Sequence, residues 1–394
     1  MDKIDPQARR GRWAMTAMFL ANGFIVGSWA PHIPLLIARL NISETTLGIL
    51  ILLFGVGALI AMPTCGYLMT RHRSRAVLRA FAMLSCVALL LVALASPLWL
   101  AAIAMIFLGG TIGGMDVAMN TNAVAVEKRL GRAIMSSSHG FWSLGGFFGA
   151  ALGGLAIQGL GYLTHAALVT AILVVVVGTA QKWLIAEEEH STAPNQADEP
   201  QPFSWPRNPL IYLVGFVALF SMIPEGAVLD WAALYLQQEL GSEIAVAGFA
   251  FAAFSVTMAT MRFLGDHVRN RFGAVSTFRV SALIAATGMV VAGLADSAGM
   301  AIAAFAFAGL GIANMVPIAF SAAGNQPDVA TATGMSVVTT MGYSGILVAP
   351  SALGFIGERV GFWPIYVALA GFLLVLSLMA GLVRSADFAK SSAQ

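Results

Sequence analysis

Twelve runs of mostly apolar residues, each about long enough to cross a bilayer, follow one another along the chain. They lie at 13–36, 46–69, 76–95, 98–125, 133–157, 165–185, 210–236, 244–266, 274–295, 299–323, 332–356 and 362–384. No other feature constrains the fold as strongly. In lipid a spanning segment must satisfy its own backbone hydrogen bonds, so only helices and closed barrels cross. A barrel strand would alternate polar and apolar residues with period two, whereas these runs are continuous. The expected fold is therefore an all-α polytopic membrane protein with twelve transmembrane helices. Composition agrees: only 10% of the 394 residues are charged and 58% are hydrophobic, against roughly 25% charged in soluble proteins. A soluble enzyme would be left with large apolar patches facing water. The net charge of +2 gives no reason to expect nucleic acid as a partner. Cys65 and Cys86 both sit in apolar runs, which reads as packing and not as a disulfide framework.

The first residues, MDKIDPQARRGR, are polar and basic and lead directly into an apolar run too long for a signal peptide, so an uncleaved first span is expected. Lys and Arg mark the cytoplasmic loops of a membrane protein. Lys3, Arg9, Arg10, Arg12, Arg71, Arg73, Arg75, Arg79, Lys128, Arg129, Arg132, Arg269 and Arg271 fall on one side of the predicted topology. The other side holds little more than Arg39 and Arg359. Both termini are thus expected in the cytoplasm, and the chain in the inner (cell) membrane. Residues 187–209 are acidic and Pro-rich, as a flexible linker is. They divide the chain into an N-terminal six-helix half, 1–186, and a C-terminal half, 210–394.

The halves repeat each other. An offset of 200 residues aligns Gly48 with Gly248, Phe54 with Phe254, Arg71 with Arg271, Phe107 with Phe307 and Gly109 with Gly309. It also aligns Met115 with Met315, Met135 with Met335, Gly145 with Gly345, Gly154 with Gly354 and Gly161 with Gly361. Register held at Gly and Arg through several loops is hard to obtain by chance. With a two-residue slip, Trp29-Ala30 meets Trp231-Ala232. Two such halves inserted in the same orientation form a pseudo-twofold pair, and transporters of that kind bind solute near the midplane at the repeat interface.

The loop after the second run reads GYLMTRHRSRAVLR, Gly66 to Arg79. It resembles the cytoplasmic loop motif of the major facilitator superfamily, approximately G-x-L-x-D-R-x-G-R-R. Gly66, Leu68, Arg71 and Arg75 match; Thr70 replaces the Asp and Arg73 the Gly. The second half echoes it in GDHVRNRFG. In the fourth run, GGMDVAMN (Gly113 to Asn120) is similar to the G-x-x-[D/E]-x-A-x-N segment of the fucose-permease-like sugar–proton symporters. Ser143 and Gly145 in the fifth run continue the likeness, and Glu225 to Leu236, EGAVLDWAALYL, resembles the YbjJ-like branch that includes the rhizobial MosC proteins linked with rhizopine. The resemblance implies proton coupling at Asp116 and a cavity-lining Asn120. Those permeases carry a second acid in their first span where this chain has Ala30, so their two-carboxylate scheme does not transfer.

Ionisable groups inside spans cost about 2.5–3.5 kcal/mol on insertion scales and mark functional sites. Asp116 has no Lys or Arg one turn away, and Asn120 shares its face at i+4. Glu225 follows Pro224, which removes a backbone donor and is expected to kink the seventh span beside a carboxylate. Asp230 lies five residues on, on a different face. His139 is a candidate proton relay to Asp116, and Trp142 shares its face at i+3. Asn22 and Trp29, seven residues apart in the first span, could bind and stack on a hydroxylated ring; Asn314 and Tyr343 are further solute contacts. Each of these has a plainer reading as packing. Arg262 and Asp266 stand at i,i+4 and could pair. By resemblance to the superfamily, Arg71, Glu127, Arg262, Asp266 and Arg271 form a latch that holds the outward-facing state. No His or Cys stands at metal-ligand spacing, and no Walker A sequence is present, so neither a metal nor ATP is expected.

The expected function is a proton-gradient-driven secondary transporter, not an enzyme. It would import a small polar solute (a sugar, polyol or inositol derivative) by symport and alternating access. Its partners would be that solute and the lipid bilayer, with no nucleic acid, and the chain would work as a monomer. An exporter of amphipathic compounds and a non-transporting receptor are the alternatives.

Overall fold

A computed structural model describes residues 5–185 and 206–388, Gly248 excepted. The expected linker lies outside the described residues as far as 205. In the first half the helices are α1 (Pro6–Trp29), α2 (Ile33–Leu40), α3 (Glu44–Arg71), α4 (Ser74–Leu94), α5 (Leu98–Leu130), α6 (Met135–Leu160) and α7 (Tyr162–Ala180). In the second they are α8 (Pro209–Gln238), α9 (Ile244–Ala247), α10 (Phe249–Phe272), α11 (Ala274–Gly293), α12 (Ala298–Ile312), α13 (Met315–Gly324), α14 (Thr331–Val360) and α15 (Trp363–Leu378). Among the described residues there is no strand. Among those residues, nine helical segments are long and apolar enough to cross a membrane. The runs that fall outside those nine are α1, α10 and α14. The first two carry several Arg or other charged residues, and α14 is rich in Ser and Thr.

The chain's punctuation sets the boundaries. Asp5 accepts from Gln7 N at 2.8 Å ahead of Pro6, so α1 starts seven residues before the apolar run and takes in the basic segment. Asn208 caps α8 in the same way, 3.0 Å from Leu210 N, with Pro209 as the first helical residue. Gly161 and Gly361, related by the repeat, end α6 and α14 with φ of +86° and +83°. Glycine reaches those angles without the steric cost a side chain would bring.

Two spans differ from the sequence reading. The first run, 13–36, is not one helix: α1 gives way at Ala30–His32, around Pro31, to a 3-10 turn and then α2. The tenth, 299–323, is broken between α12 and α13 at Ala313 and Asn314. Pro317 has no N–H to offer the Ala313 carbonyl, which weakens the helix there. Pro63 and Pro224, by contrast, lie inside unbroken helices.

The chain forms two compact units. One comprises residues 1–134, 141–206 and 330–336; the other comprises 135–140, 207–329 and 337–394. The first turns of α6 and α14 are thus each grouped with the opposite half of the sequence. Within each unit the repeat is visible in backbone packing. A Cβ on Gly109 would lie 1.9 Å from Phe54 O, and one on Gly309 2.4 Å from Phe254 O, so α3 against α5 and α10 against α12 meet at equivalent points. Small residues that let backbones approach are how helices associate where lipid removes the hydrophobic drive.

Candidate functional site: a buried polar cluster in each unit

In the first unit the cluster is built on α5. Asp116 is 3% exposed, and Asn120, one turn on, is fully buried and donates Nδ2 to Asp116 O at 2.9 Å. On α1, Asn22 accepts from Trp142 Nε1 at 2.9 Å and donates to Ile112 O at 3.3 Å. Cys65 on α3 donates Sγ–H to Gly114 O at 3.2 Å, close beside Asp116. Trp29, the other expected solute contact on α1, is buried. Glu127 is fully buried near the end of α5 and accepts from Ile134 N at 2.9 Å, closing the turn into α6. Arg71 is exposed, its guanidinium 4.9 Å from the Tyr67 ring centre.

In the second unit α8 brings Glu225 to Arg262 of α10, with Arg262 Nη2 3.1 Å from Glu225 Oε2. The Arg262 side chain is 6% exposed and that of Glu225 30%. Arg262 therefore reaches a carboxylate 37 positions away in sequence, a partner that the i,i+4 spacing to Asp266 did not suggest. Asp266 serves the first turn of α6: Oδ1 accepts from Ser136 N and Oδ2 from Ser137 N, both at 2.9 Å, and Ser137 Oγ donates to Oδ2. The carboxylate thus meets the exposed amides and the positive end of a helix dipole. His139, on the same short segment, is buried with its ring 5.8 Å from that of Phe320. It is grouped with the second unit, whereas Asp116 is grouped with the first. Asn314 sits at the α12–α13 break, fully buried against Gly265, with neither amide atom hydrogen-bonded. Asp230 is exposed on α8, Tyr343 is half-buried on α14, and Arg271 is exposed beside Phe272.

Several polar anchors had no sequence signal, because each joins residues far apart in the chain. His32 and His165 are buried and bonded ring nitrogen to ring nitrogen at 2.9 Å. Arg39 donates to the last carbonyls of α4, at 2.7 Å from Val92 O and 3.1 Å from Ala95 O. Arg269 is buried and donates to Ser321 Oγ and Ala386 O, both at 2.6 Å. Among the described residues, no three His, Cys, Asp or Glu side chains are placed to hold a metal ion.

Two repeated bundles of apolar helices, each enclosing buried polar groups, fit a polytopic membrane transporter rather than an enzyme. The model of the Major Facilitator Superfamily matches residues 14–323 and again 214–394, and the chain belongs to that superfamily. It is 35% identical over 367 residues to an uncharacterized MFS-type transporter of Yersinia pestis, covering 92% of this chain and 93% of the relative. It is 31% identical over 355 residues to the membrane protein MosC of Rhizobium meliloti, covering 88% and 84%. Among solved structures it is similar to the Escherichia coli fucose:proton symporter, with a TM-score of 0.76 at 15% identity over 95% of this chain and 99% of the other. A structure of FucP in the outward conformation gives 0.80 at 15% identity over 94% and 98%. At such identities these likenesses bear on the fold alone.

Proposed function

We propose that the chain is a proton-coupled importer of a small hydroxylated solute, a sugar, polyol or inositol derivative, in the inner membrane with both termini cytoplasmic. The observation that carries this reading is the buried pair Asp116 and Asn120, one turn apart on α5 and adjoining the Asn22–Trp142 contact. A carboxyl group that deep has no structural need to be acidic, and intramembrane acids mark ion and proton pathways. The fucose:proton symporter shares the fold, which adds support of an analogical kind. Asn120 and Trp142 are the assigned solute contacts. Glu127 in the first unit and Arg262 and Asp266 in the second are assigned to the latch that alternating access must release.

The test is uptake of labelled myo-inositol, L-fucose and related polyols into proteoliposomes under an imposed pH gradient. Accumulation that collapses with the gradient is expected for the wild type. Asp116→Asn is expected to retain solute exchange and to lose gradient-driven accumulation. Unchanged accumulation in that variant would remove Asp116 from the coupling mechanism.

A further inference from the structure

Asn22 was expected to touch the solute, yet both ends of its amide are held inside the first unit. Its side chain is 1% exposed; Oδ1 holds the Trp142 indole N–H and Nδ2 holds the carbonyl of Ile112. That carbonyl is the residue i−4 to Asp116, so in the α-helix it is also the acceptor for the Asp116 amide. One side chain therefore ties the indole of α6 to the turn of α5 that carries Asp116.

The seat of Trp142 is rigid for a second reason. A Cβ on Gly23 would lie 1.9 Å from Trp142 O, one on Gly145 2.1 Å from Leu20 O, and one on Gly27 2.0 Å from Gly146 O. The backbones of α1 and α6 are thus in direct contact along this seam. Trp142 shares the α6 face of Gly146 and Gly149, which is turned to α1 and lies well round the helix from the exposed Phe147 and Leu155. Its ring is only half-buried all the same. An indole whose N–H is already bonded and whose backbone is locked offers a fixed apolar face. The C–H face of a sugar or inositol ring matches such a surface, and a pre-organised platform loses little freedom on binding.

We propose that Trp142 is the stacking platform for a ring-shaped hydroxylated solute and that Asn22 is its positioning residue, touching no solute. The solute class rests on the function proposed above; the positioning role does not. Full-length protein in lipid nanodiscs, labelled with fluorotryptophan, tests both by fluorine NMR. The chain has 8 Trp, and Trp142→Phe identifies the resonance of Trp142. Asn22→Leu is expected to shift and broaden that resonance while leaving the others sharp. Asn22→Ala, with no added bulk, is expected to do the same. An unmoved resonance in both variants overturns the positioning role. Added myo-inositol or L-fucose is expected to move the wild-type Trp142 resonance. Loss of one hydrogen bond should weaken apparent affinity for that probe about tenfold in Asn22→Leu, with no further loss when Trp142→Phe is already present. Losses that instead add would place Asn22 in direct contact with solute. Uptake of either probe without movement of the Trp142 resonance would overturn the platform. Absence of any uptake would count against the proposed function, while the solute-free comparison would still decide the role of Asn22.

Discussion

Replacing Arg262 with Gln removes the cation from the 3.1 Å contact with Glu225 and leaves a carboxylate whose partner among the described residues was that guanidinium. Breaking a buried ion pair from one side costs about 3–5 kcal/mol, because the remaining charge is left in a poor solvent. Glu225 is not wholly shut off: 30% of its side chain is exposed, so part of that penalty is relieved by hydration. The expected loss is about 2 kcal/mol. Glu225→Gln should cost less, since the amide oxygen it leaves can still accept from Arg262 Nη2. The double variant replaces both charges with amides that can still bond to each other, and removing a pair together is often nearly neutral. It should recover at least half of the loss seen in Arg262→Gln. Reversible unfolding in mixed detergent micelles, run as a double-mutant cycle, supplies the coupling energy. If the double variant is as unstable as Arg262→Gln alone, the stranded carboxylate is not the source of the cost and the pairing argument fails.

Two further perturbations follow from the packing. Asp266→Asn can accept through only one oxygen and loses the favourable charge at the start of α6, so a cost of about 1–2 kcal/mol is expected. Faster hydrogen exchange at the Ser136 and Ser137 amides would register it, and unchanged protection would show that the carboxylate is dispensable there. Gly109→Ala and Gly309→Ala each push a methyl into a carbonyl of the neighbouring helix, at 1.9 Å and 2.4 Å. Both should destabilise by about 1–3 kcal/mol, with Gly109→Ala the worse. A neutral Gly109→Ala in an unfolding assay would mean that α3 and α5 are not in backbone contact.

The spans were legible because a run of about 20 apolar residues has almost no other use, and the repeat because glycines recur in register, some where only they fit: Gly109 and Gly309 at backbone contacts, Gly161 and Gly361 at positive φ. The interruptions were not legible, since the same residue does different things in different packing. Pro63 and Pro224 are carried inside continuous helices, while Pro31 lies in a turn and Pro317 follows a break. Side-chain pairing was least legible of all. Local spacing offered Asp266 to Arg262; tertiary packing adds Glu225 as a partner of Arg262 and sets the Asp266 carboxylate on the α6 amides, neither of which spacing could show. Asn22 was readable as a polar residue in a span; its engagement by Trp142 depends on a contact 120 positions away.

The repeat also shows how one backbone path can carry two chemistries. In the first unit Cys65 fills the space toward Gly114, whereas at the equivalent point of the second, Gly265 leaves a notch that Asn314 enters. Bulk and gap have exchanged places while the helices keep their register. The same holds where each unit takes up a first turn from the other half of the sequence. Ser336 Oγ donates to Met62 O at 3.0 Å with Gly66 pressed against it; 200 residues on, Asp266 stands in place of that glycine and grips the amides of Ser136 and Ser137. Charge-assisted hydrogen bonds are roughly twice as strong as neutral ones. The two first turns are therefore held unequally although the backbone that frames them is duplicated, and the Asp266 carboxylate is one source of the inequality.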